Sequence, residues 1–359
     1  MSVSLTTRSD RLIDLVAARE LDSLLITDLV NVRYLTGFSG TNGACVVTPD
    51  ERLFLTDFRY VEQAAEQVRG YETVQVGADL HAALAGRLRG RAGFDDANVT
   101  VRTHAKLTER LGEGAELIAA GGLVEQLRAI KDAGEVAAMR AAAAVADEVY
   151  AHLRERGLAG RSERAIAQEI ESELKARGAQ GTSFPSIVAA GAHGALPHAE
   201  PRDVEIPDGT LVVIDMGARV DGYCSDCTRT FATGELDDHA QEIYALVLAA
   251  QETALAAVRP GIGCRELDGV ARAAIEDAGH GDQFGHGLGH GVGLEIHESP
   301  RISKSAPEGE LVEVGNAITI EPGVYVPDVL GVRIEDLVIV GEQDNDVLTS
   351  FPKELVVSG

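Results

Sequence analysis

The amino-acid sequence predicts an α/β domain over residues 1–122, followed by an α+β domain over residues 123–359. Short apolar runs alternate with helix-type patterns in the first part of the chain. From Leu123 onward the composition shifts toward Ala, Glu, Arg and Leu, which favour long helices. Later helices enclose apolar or alternating segments that are typical of antiparallel strands. A chain of 359 residues accommodates two domains, since one domain usually takes about 100–200 residues.

The elements of the first domain follow from apolar periodicity and from turn residues. Glycine-rich and proline-containing segments at residues 37–43 and 48–50 predict turns. The domain is expected to end at Gly121-Gly122. The pattern predicts helices at residues 11–19 and 59–68, and strands at residues 23–27, 44–48, 52–56 and 73–76.

The second domain opens with one or two long helices over residues 123–153. Ser162 is a good N-cap for a helix that buries apolar residues spaced four apart and ends at Gly178. Two further helices are expected at residues 238–258 and 265–278. Strands are predicted at residues 211–215, 228–231, 317–320 and 333–340.

Composition and charge exclude several classes of protein. The net charge is -25, from 32 basic and 57 acidic residues, which argues against a nucleic-acid partner or an anionic membrane surface. No uncharged apolar run reaches the roughly 18 residues that a membrane span needs, and the first residues do not resemble a secretory signal. Four cysteines do not suggest a disulfide framework. We therefore expect a cytoplasmic protein.

Asp215 and Asp226 form the first group of residues that suggests a chemical role. Asp215 ends an apolar strand, Asp221-Gly222 provides a turn, and Asp226 begins the returning strand. Such a hairpin can bring both carboxylates to the same end of a sheet. Taken alone, the segment is equally compatible with a solvated hairpin that carries ordinary turn aspartates.

Three histidines lie close together in a glycine-rich segment, residues 285–298. Alternating glycines let the backbone approach a ligand closely or adopt a positive φ. A single histidine is more often a hydrogen-bonded core residue, but three within twelve residues favour a functional site. The spacing and the glycines exclude the helical zinc motif. The candidates are His286, His290 and His297.

Glu321 and Glu335 form the third group. Glu321 closes an apolar strand at a Pro-Gly turn, and Glu335 lies inside a predicted strand. A carboxylate on the inward face of a strand is costly unless a cation neutralises it. That cation is either a metal or Arg333, which is two residues away and would point to the same face.

Four carboxylates and one imidazole make an oxygen-rich ligand set. Such a set suits a catalytic two-metal site better than a closed structural zinc site, which prefers Cys and His. Two ions about 3.5–4 Å apart can hold a bridging hydroxide and polarise a carbonyl. Cys224 and Cys227 suggest zinc or redox chemistry instead, but no second CxxC pair accompanies them.

At these residues the chain resembles the pita-bread metallopeptidases of peptidase family M24, which include prolidase, aminopeptidase P and methionine aminopeptidase. The resemblance implies a pita-bread catalytic domain over residues 123–359 and a creatinase/prolidase-like N-terminal domain. It also implies two divalent ions, Mn or Co, with Zn or Fe as alternatives. By this resemblance Asp226 and Glu335 bridge the metals and Glu321 is the general base. The implied ligands are Asp215, Asp226, His290, Glu321 and Glu335.

The resemblance also assigns residues that contact the substrate. His198 and His297 match the histidines that bind substrate and stabilise the tetrahedral intermediate. His286, Tyr325 and Arg333 match positions of the pocket or of the layer behind the ligands.

The proline-specific branch of the family fits the sequence best. Residues 226–231 (DCTRTF) and the preceding domain are similar to prolidase and aminopeptidase P, and residues 31–43 are similar to the N-terminal domains of bacterial Xaa-Pro peptidases. We expect a homodimer that acts on short peptides with proline at the second position. Dipeptides are slightly favoured, with Arg33, Arg59 or Arg333 as candidates to receive the free carboxylate. A methionine-type aminopeptidase and a non-catalytic peptide-binding module of the same fold are the alternatives.

Overall fold

The computed structural model describes residues 5–77 and 79–357, which form two compact units, Met1–Arg128 and Ala129–Gly359. The divide falls inside a helix, Leu123–Ala129, whereas the sequence suggested a boundary just before it. The helix packs on the first unit: Leu127 O accepts a hydrogen bond from the Tyr34 hydroxyl at 3.1 Å. Arg128 donates to the Asn31 side chain at 2.8 Å. These contacts explain why the helix groups with the first unit.

The first unit is an α/β domain built on a mixed six-stranded sheet of order β4-β3-β2-β1-β5-β6. The β1–β2 and β2–β3 pairs are antiparallel, and the remaining pairs are parallel. Its helices are α1 Leu5–Ala18, α2 Leu29–Thr36, α3 Val61–Gln67, α4 Leu80–Ala85, α5 Val101–Thr108 and α6 Leu123–Ala129. Its strands are β1 Ser23–Ile26, β2 Ala44–Val47, β3 Arg52–Thr56, β4 Glu72–Gln75, β5 Arg91–Phe94 and β6 Glu116–Ala119.

The predicted elements of this unit are confirmed in type. The helix expected at residues 11–19 begins earlier, at Leu5, and the helix expected at residues 59–68 opens with a 3-10 turn, Phe58–Tyr60. The elements from α4 to β6, and the helix α2, were not predicted, because they are short and their apolar patterns are weak.

The second unit contains four long helices among its described residues. They are α7 Ala133–Arg156, α8 Glu163–Ala176, α9 Asp238–Ala257 and α10 Cys264–Asp277. Their ends follow local chemistry: Asp132 and Glu135 form a capping box at α7, and the Ser162 hydroxyl caps α8. The buried face of α8 is the predicted one, with Ile166, Ile170 and Leu174 fully buried. The segment 123–153, expected to form one or two long helices, contains the short α6 and the long α7.

The strands of the second unit form several small, mostly antiparallel sheets. One has the order β20-β12-β9-β8, another β14-β13-β15-β18-β19, and β16 pairs with β17. These bounds complete the unit: β7 Gly181–Thr182, β8 Ile187–Ala190, β9 Leu211–Met216, β10 Ala218–Val220, β11 Tyr223–Cys224, β12 Cys227–Ala232, β13 Gly289–Gly291, β14 Glu298–Ile302, β15 Ala317–Ile320, β16 Gly323–Val326, β17 Leu330–Arg333, β18 Asp336–Ile339, β19 Asp346–Val347 and β20 Val356–Val357.

The prediction of one strand over residues 333–340 is wrong. The segment is divided between β17, which pairs with β16, and β18, which pairs with β15. Ile334 and Glu335 lie in the step between the two strands. Both strands are buried, so the apolar alternation continues from one strand into the next. The sequence pattern therefore does not show where β17 ends and β18 begins.

Across residues 5–77 and 79–357, no helix is long and apolar enough to cross a lipid bilayer.

Candidate metal centre

Three buried carboxylates meet in the second unit. Oxygen atoms of Asp215, Asp226 and Glu335 all lie within 4.8 Å of one another. Their exposed fractions are 9%, 5% and 1%. Ionised carboxylates repel one another at such distances and lose hydration on burial, so the group is costly without cations. Among the described residues, no other group of His, Cys, Asp and Glu has this arrangement.

The hairpin of β9 and β12 brings the two aspartates together. The strands are antiparallel, with Asp215 opposite Thr228, and Asp226 directly precedes β12. The connection between them folds into its own short pair, β10 and β11. The prediction that this hairpin places both aspartates at one end of a sheet is therefore confirmed.

The step between β17 and β18 places Glu335. Its backbone N–H donates to Thr228 O at 3.1 Å, and the Thr228 hydroxyl donates to Glu335 Oε2 at 2.7 Å. Thr228, the residue opposite Asp215, thus holds both the backbone and the side chain of Glu335. Thr228 lies in the DCTRTF segment, but nothing in the sequence marked it as a contact of Glu335.

His290 and Glu321 lie beside the three carboxylates. His290 Nε2 is 3.3 Å from Glu321 Oε1 and 3.6 Å from Asp226 Oδ2. His290 Nδ1 lies 3.0 Å from Gly291 O, which can only accept, so Nδ1 carries the proton in the neutral ring and Nε2 is left for the cluster. The Thr319 hydroxyl donates to Glu321 Oε1 at 3.1 Å. All five predicted ligand residues therefore lie close together.

The glycines around His290 act through close backbone approach. A Cβ at Gly289 would lie 2.0 Å from Thr319 O, and one at Gly291 would lie 2.2 Å from Ser299 O. No glycine of residues 285–293 has a positive φ. Strand β13 therefore fits between its two neighbours only because it lacks side chains at these positions.

Electrostatics divide the five residues into two groups. Burial, followed by the charges of neighbouring carboxylates, raises the pKa of Asp226 and of Glu335 well above their usual values. The pKa of Asp215 is also raised, chiefly by burial, although Arg333 opposes the rise. Burial alone would raise the pKa of Glu321 too, but the hydrogen bond and charge of His290 lower it to about 2. Without a cation in the cluster, the pKa of His290 is raised and the protonated ring pairs with Glu321, whereas the other three carboxylates lack enough positive charge.

Two unsatisfied oxygen atoms show what the cluster lacks. Asp215 Oδ1 and Glu335 Oε1 are buried and accept no hydrogen bond from a described residue. Buried polar atoms are nearly always paired, and an unpaired carboxylate oxygen is especially costly. Divalent cations would satisfy both atoms, and hard carboxylate oxygens with one imidazole suit such ions. The residues present therefore fit a divalent metal site.

Arg333 contacts Asp215, so the alternative of an Arg333–Glu335 ion pair is wrong. Its guanidinium donates to Asp215 Oδ2 at 2.7 Å and to the Thr228 hydroxyl at 3.0 Å. It also donates to the Tyr325 hydroxyl at 2.8 Å. Arg333 and Glu335 both contact the Thr228 hydroxyl, but no ion pair joins them, and Glu335 Oε1 has no partner among the described residues.

His286, Tyr325 and Arg333 form a hydrogen-bonded chain. His286 Nδ1 lies 2.8 Å from Gly287 O, so this nitrogen carries the proton of the neutral ring. His286 Nε2 is then an acceptor for the Tyr325 hydroxyl, 2.9 Å away. Burial, the largest cause, lowers the pKa of His286, which favours this neutral form. The chain orients Arg333 toward Asp215.

The cluster forms the floor of a cavity of about 590 Å³ in the second unit. His198 and His297 lie at its wall, and both are exposed. His297 also contacts His290 edge to face, with ring centroids 4.4 Å apart. Further lining residues that the sequence did not indicate include Phe184, Ile187, Ile296 and Arg301. The apolar lining residues could not be recognised from the sequence, because the buried core is made of the same residue types.

Cys224 and Cys227 are buried free thiols, and neither belongs to the carboxylate cluster.

Comparison with known proteins identifies the relatives of both units. A model of metallopeptidase family M24 matches residues 137–342, and a model of the creatinase/prolidase N-terminal domain matches residues 8–130. These matches confirm the predicted fold class, a creatinase/prolidase-like α/β domain followed by a pita-bread catalytic domain.

Individual relatives cover almost the whole chain. The uncharacterized peptidase YqhT of Bacillus subtilis is 40% identical over 352 residues, which are 97% of this chain and 99% of that protein. The structure of an Xaa-Pro dipeptidase from Bacillus anthracis has a TM-score of 0.95 at 38% identity, covering 99% of this chain and 100% of that one. An X-Pro aminopeptidase from Thermotoga maritima has a TM-score of 0.89 at 32% identity, covering 98% and 99%.

Proposed function

We propose that this chain, which belongs to metallopeptidase family M24, removes the first residue of short peptides that carry proline at the second position. As a member of that family the chain is a metallopeptidase. The observation that carries the proposal is the group of buried carboxylates with two unpaired oxygen atoms at the floor of a cavity. The proline preference is supported by similarity to an Xaa-Pro dipeptidase and to an X-Pro aminopeptidase.

The proposed metal site comprises the three carboxylates of the cluster together with His290 and Glu321. Two divalent ions, when bound there, would supply Lewis-acid activation of water and of the scissile carbonyl. We propose Mn or Co for the ions, with Zn or Fe as alternatives, because carboxylates dominate the ligand set. The residues that would hold the ions are Asp215, Asp226, His290, Glu321 and Glu335.

Glu321 is the proposed general base. Burial raises the pKa of Glu321, but the protonated His290 lowers it to about 2, and a cation bound by the cluster would hold the carboxylate ionised when His290 is a neutral ligand. The Thr319 hydroxyl, 3.1 Å away, fixes one oxygen of the carboxylate. An ionised and oriented carboxylate can accept a proton from the attacking water and pass it to the leaving nitrogen.

His198 and His297 are the proposed donors to the developing negative charge. Partial desolvation at the cavity wall, followed by the neighbouring His290, lowers the pKa of His297, so its ring is neutral near pH 7 and retains one N–H to donate. His198 lies at the same cavity wall. A donor directed at an oxyanion in a partly dry site contributes about 10²–10³-fold to the rate. The proposed roles of His286 and Tyr325 are to shape the pocket and to orient Arg333.

Arg301 replaces Arg333 as the proposed partner of a substrate carboxylate. Arg333 is fully engaged with Asp215, Thr228 and Tyr325. Arg59 pairs with Asp57 at 2.7 Å, which leaves Arg33 and Arg59 without a specific observation in their favour. Arg301 lines the cavity, and no hydrogen bond or ion pair of its guanidinium is found among the described residues. A free guanidinium there can bind the carboxylate of a dipeptide bidentately.

The test compares kcat/KM for an Xaa-Pro dipeptide with that for the same peptide extended by two residues. We expect the dipeptide to be favoured in the metal-loaded protein, and Arg301→Gln to raise KM for the dipeptide at least about tenfold. Lys304→Gln is the matched control. Lys304 is an exposed cation three residues after Arg301, and it does not line the cavity.

A ratio that favours the longer peptide by tenfold or more would identify an aminopeptidase of the aminopeptidase P type. That alternative is kept because of the similarity to the Thermotoga protein. Comparable cleavage of Met-Ala peptides would overturn the proline-specific proposal and favour a methionine-type enzyme. A homodimer in the cytoplasm remains part of the proposal, and sedimentation velocity tests the oligomeric state.

A further inference from the structure

The loop of residues 190–202, here called the His198 loop, supplies part of the cavity wall. It runs from the end of β8 through a 3-10 helix, Gly191–Ala195, to Pro197 and His198, both of which line the cavity. No described residue forms a hydrogen bond with the exposed His198 ring. The backbone that carries His198 therefore determines where its ring can reach.

One buried carboxylate holds both ends of this loop. Glu163 is the first residue of α8, and its side chain is 1% exposed. Its Oε1 accepts a hydrogen bond from Ala190 N at 3.0 Å, where the loop begins. Its Oε2 accepts one from Arg202 N at 3.0 Å, where the loop ends. The two ends are twelve positions apart in sequence, and one side chain joins them.

Side chains of the loop complete the contacts of Glu163. His193 Nδ1 lies 2.9 Å from Oε2, and the Arg202 guanidinium donates to both oxygens at 3.2 Å. Burial raises the pKa of Glu163, but the hydrogen bonds from Arg202 and from the backbone at Ala190 outweigh it, so the net effect lowers the pKa. The group is an ionised acceptor surrounded by donors. A glutamine would turn an NH₂ group toward some of those donors and lose contacts.

The middle of the loop is held from the other side, by the metal-site strands. Arg333, which also contacts Asp215, donates to Pro197 O at 3.1 Å. Gly194 packs directly on β17, since a Cβ on Gly331 would lie 1.8 Å from Gly194 O. Glu163 at the ends and β17 in the middle together leave the backbone before His198 little freedom.

We propose that Glu163 is a positioning residue for His198, acting through the ends of the loop and without touching the substrate. The catalytic part of this inference rests on the proposed function, since it takes His198 as a donor to the reaction. Its structural part, that Glu163 fixes the loop, is independent of any activity. A displacement of about 1 Å in a catalytic group can cost up to about 10²-fold in rate.

The first experiment measures kcat, KM and metal content of metal-loaded Glu163→Gln with an Xaa-Pro dipeptide. We expect kcat to fall about 10- to 100-fold with KM changed less than about threefold and metal content unchanged. Glu169→Gln is the matched control. Glu169 lies on the same helix and also binds a histidine and arginines, His152, Arg156 and Arg161, but it does not contact the loop. A kcat loss in the control equal to that in Glu163→Gln would overturn the proposal.

A double-mutant cycle with His198→Ala separates positioning from a general structural role. If Glu163 acts through His198, Glu163→Gln lowers kcat less than about twofold when His198 is already alanine. A loss of the same size in both backgrounds would show that Glu163 does not act through His198. If Glu163→Gln does not fold, His193→Gln removes one contact of Glu163 and is measured in the same cycle, with the same expected non-additivity.

Hydrogen–deuterium exchange tests the structural part without substrate. In metal-loaded Glu163→Gln, peptides that cover residues 190–202 should exchange at least about tenfold faster than in wild type, and Glu169→Gln should leave them unchanged. Unchanged exchange would overturn the proposal. If exchange is faster in the variant but the wild-type protein cleaves no Xaa-Pro peptide, Glu163 is still a loop anchor. That result would overturn its catalytic role and, separately, refute the proposed function.

Discussion

Glu335 and Asp336 are adjacent in sequence, and both are 1% exposed, but their surroundings differ completely. Both oxygens of Asp336 are hydrogen-bonded, and two of the donors are cations. Glu335 accepts one hydrogen bond at Oε2, from Thr228, and its Oε1 has no partner among the described residues. The donors to Asp336 are Arg229, Lys353, Thr349 and Gln251, at 2.8–3.0 Å.

The pKa shifts of the two groups have opposite directions. Burial raises both, but Arg229 and Lys353 outweigh it at Asp336, whose pKa is lowered. At Glu335 the charges of Glu321 and Asp215 add to the effect of burial, and the pKa is raised. Burial of a carboxylate is therefore not by itself a sign of a site. The distinguishing feature is whether the protein provides the compensating charge, and at Glu335 it does not.

Removal of ligands should produce the largest effect. We expect Glu335→Ala and Glu321→Ala to abolish hydrolysis and to lower the bound-metal count, because each variant lacks a carboxylate that binds the cations. The fold should be retained in both variants. Elemental analysis and activity should fall together. Glu310→Gln is a suitable control, since Glu310 Oε2 is also buried and unpaired but lies outside the cluster. Full activity in either alanine variant would refute the five-ligand assignment.

Removal of Asp336 should instead destabilise the fold. Asp336→Ala leaves the buried Arg229 hydrogen-bonded to backbone carbonyls but without a carboxylate partner, and breaking a buried ion pair costs about 3–5 kcal/mol. Urea unfolding of the metal-free protein measures this loss. The exposed pair Arg140–Asp346 provides the control, since Asp346→Ala should cost less than about 1 kcal/mol. Equal stability of Asp336→Ala and Glu335→Ala would remove the distinction between the two neighbours.

The two cavity histidines should show a third signature. His198→Ala and His297→Ala should retain metal near the wild-type level while kcat falls by about 10²–10³, the loss expected for one transition-state donor. Inductively coupled plasma mass spectrometry on the same samples gives the metal content. If His297→Ala loses metal, the division between His290 as ligand and His297 as donor is wrong, despite the 4.4 Å contact of their rings.

The smallest expected effect concerns how the stability of the metal-free protein depends on pH. Variants of Glu335 and of Asp336 should differ from wild type with opposite signs. The folded pKa of Glu335 is raised, so its ionisation costs stability as the pH rises above the unfolded value of about 4.3. Glu335→Gln should therefore be more stable than wild type at pH 8, and this advantage should shrink on acidification.

Asp336 should behave in the reverse way. Its folded pKa is lowered, so its contribution is present above the unfolded value of about 3.9 and is lost as the pH falls through the folded value. Asp336→Asn should be less stable than wild type at neutral pH, with a deficit that shrinks below about pH 4. Urea unfolding from pH 3.5 to 8 checks both variants. Differences of the same sign would show that the two carboxylates have equivalent surroundings.

The sequence by itself determined the features that depend on neighbours along the chain. Ser162 and the four-residue spacing after it defined α8, and Asp215 and Glu321 were correctly placed at strand ends. A helix start or a strand end is set by groups within a few positions, so the local pattern carries it. The family resemblance gave the ligand set as a prediction. The structure brings those residues together, and their roles await the metal measurements.

Only the tertiary structure decided the partners of the buried charges. Arg333 is two residues from Glu335, but it binds Asp215, which is 118 positions away. Glu163 holds a loop that begins 27 positions later, and the break before Asp336 follows from pairing with two different strands. A buried charge is stabilised by whichever donor the folded backbone brings within about 3 Å, and that choice depends on contacts among distant segments. No pattern in the local sequence encodes it.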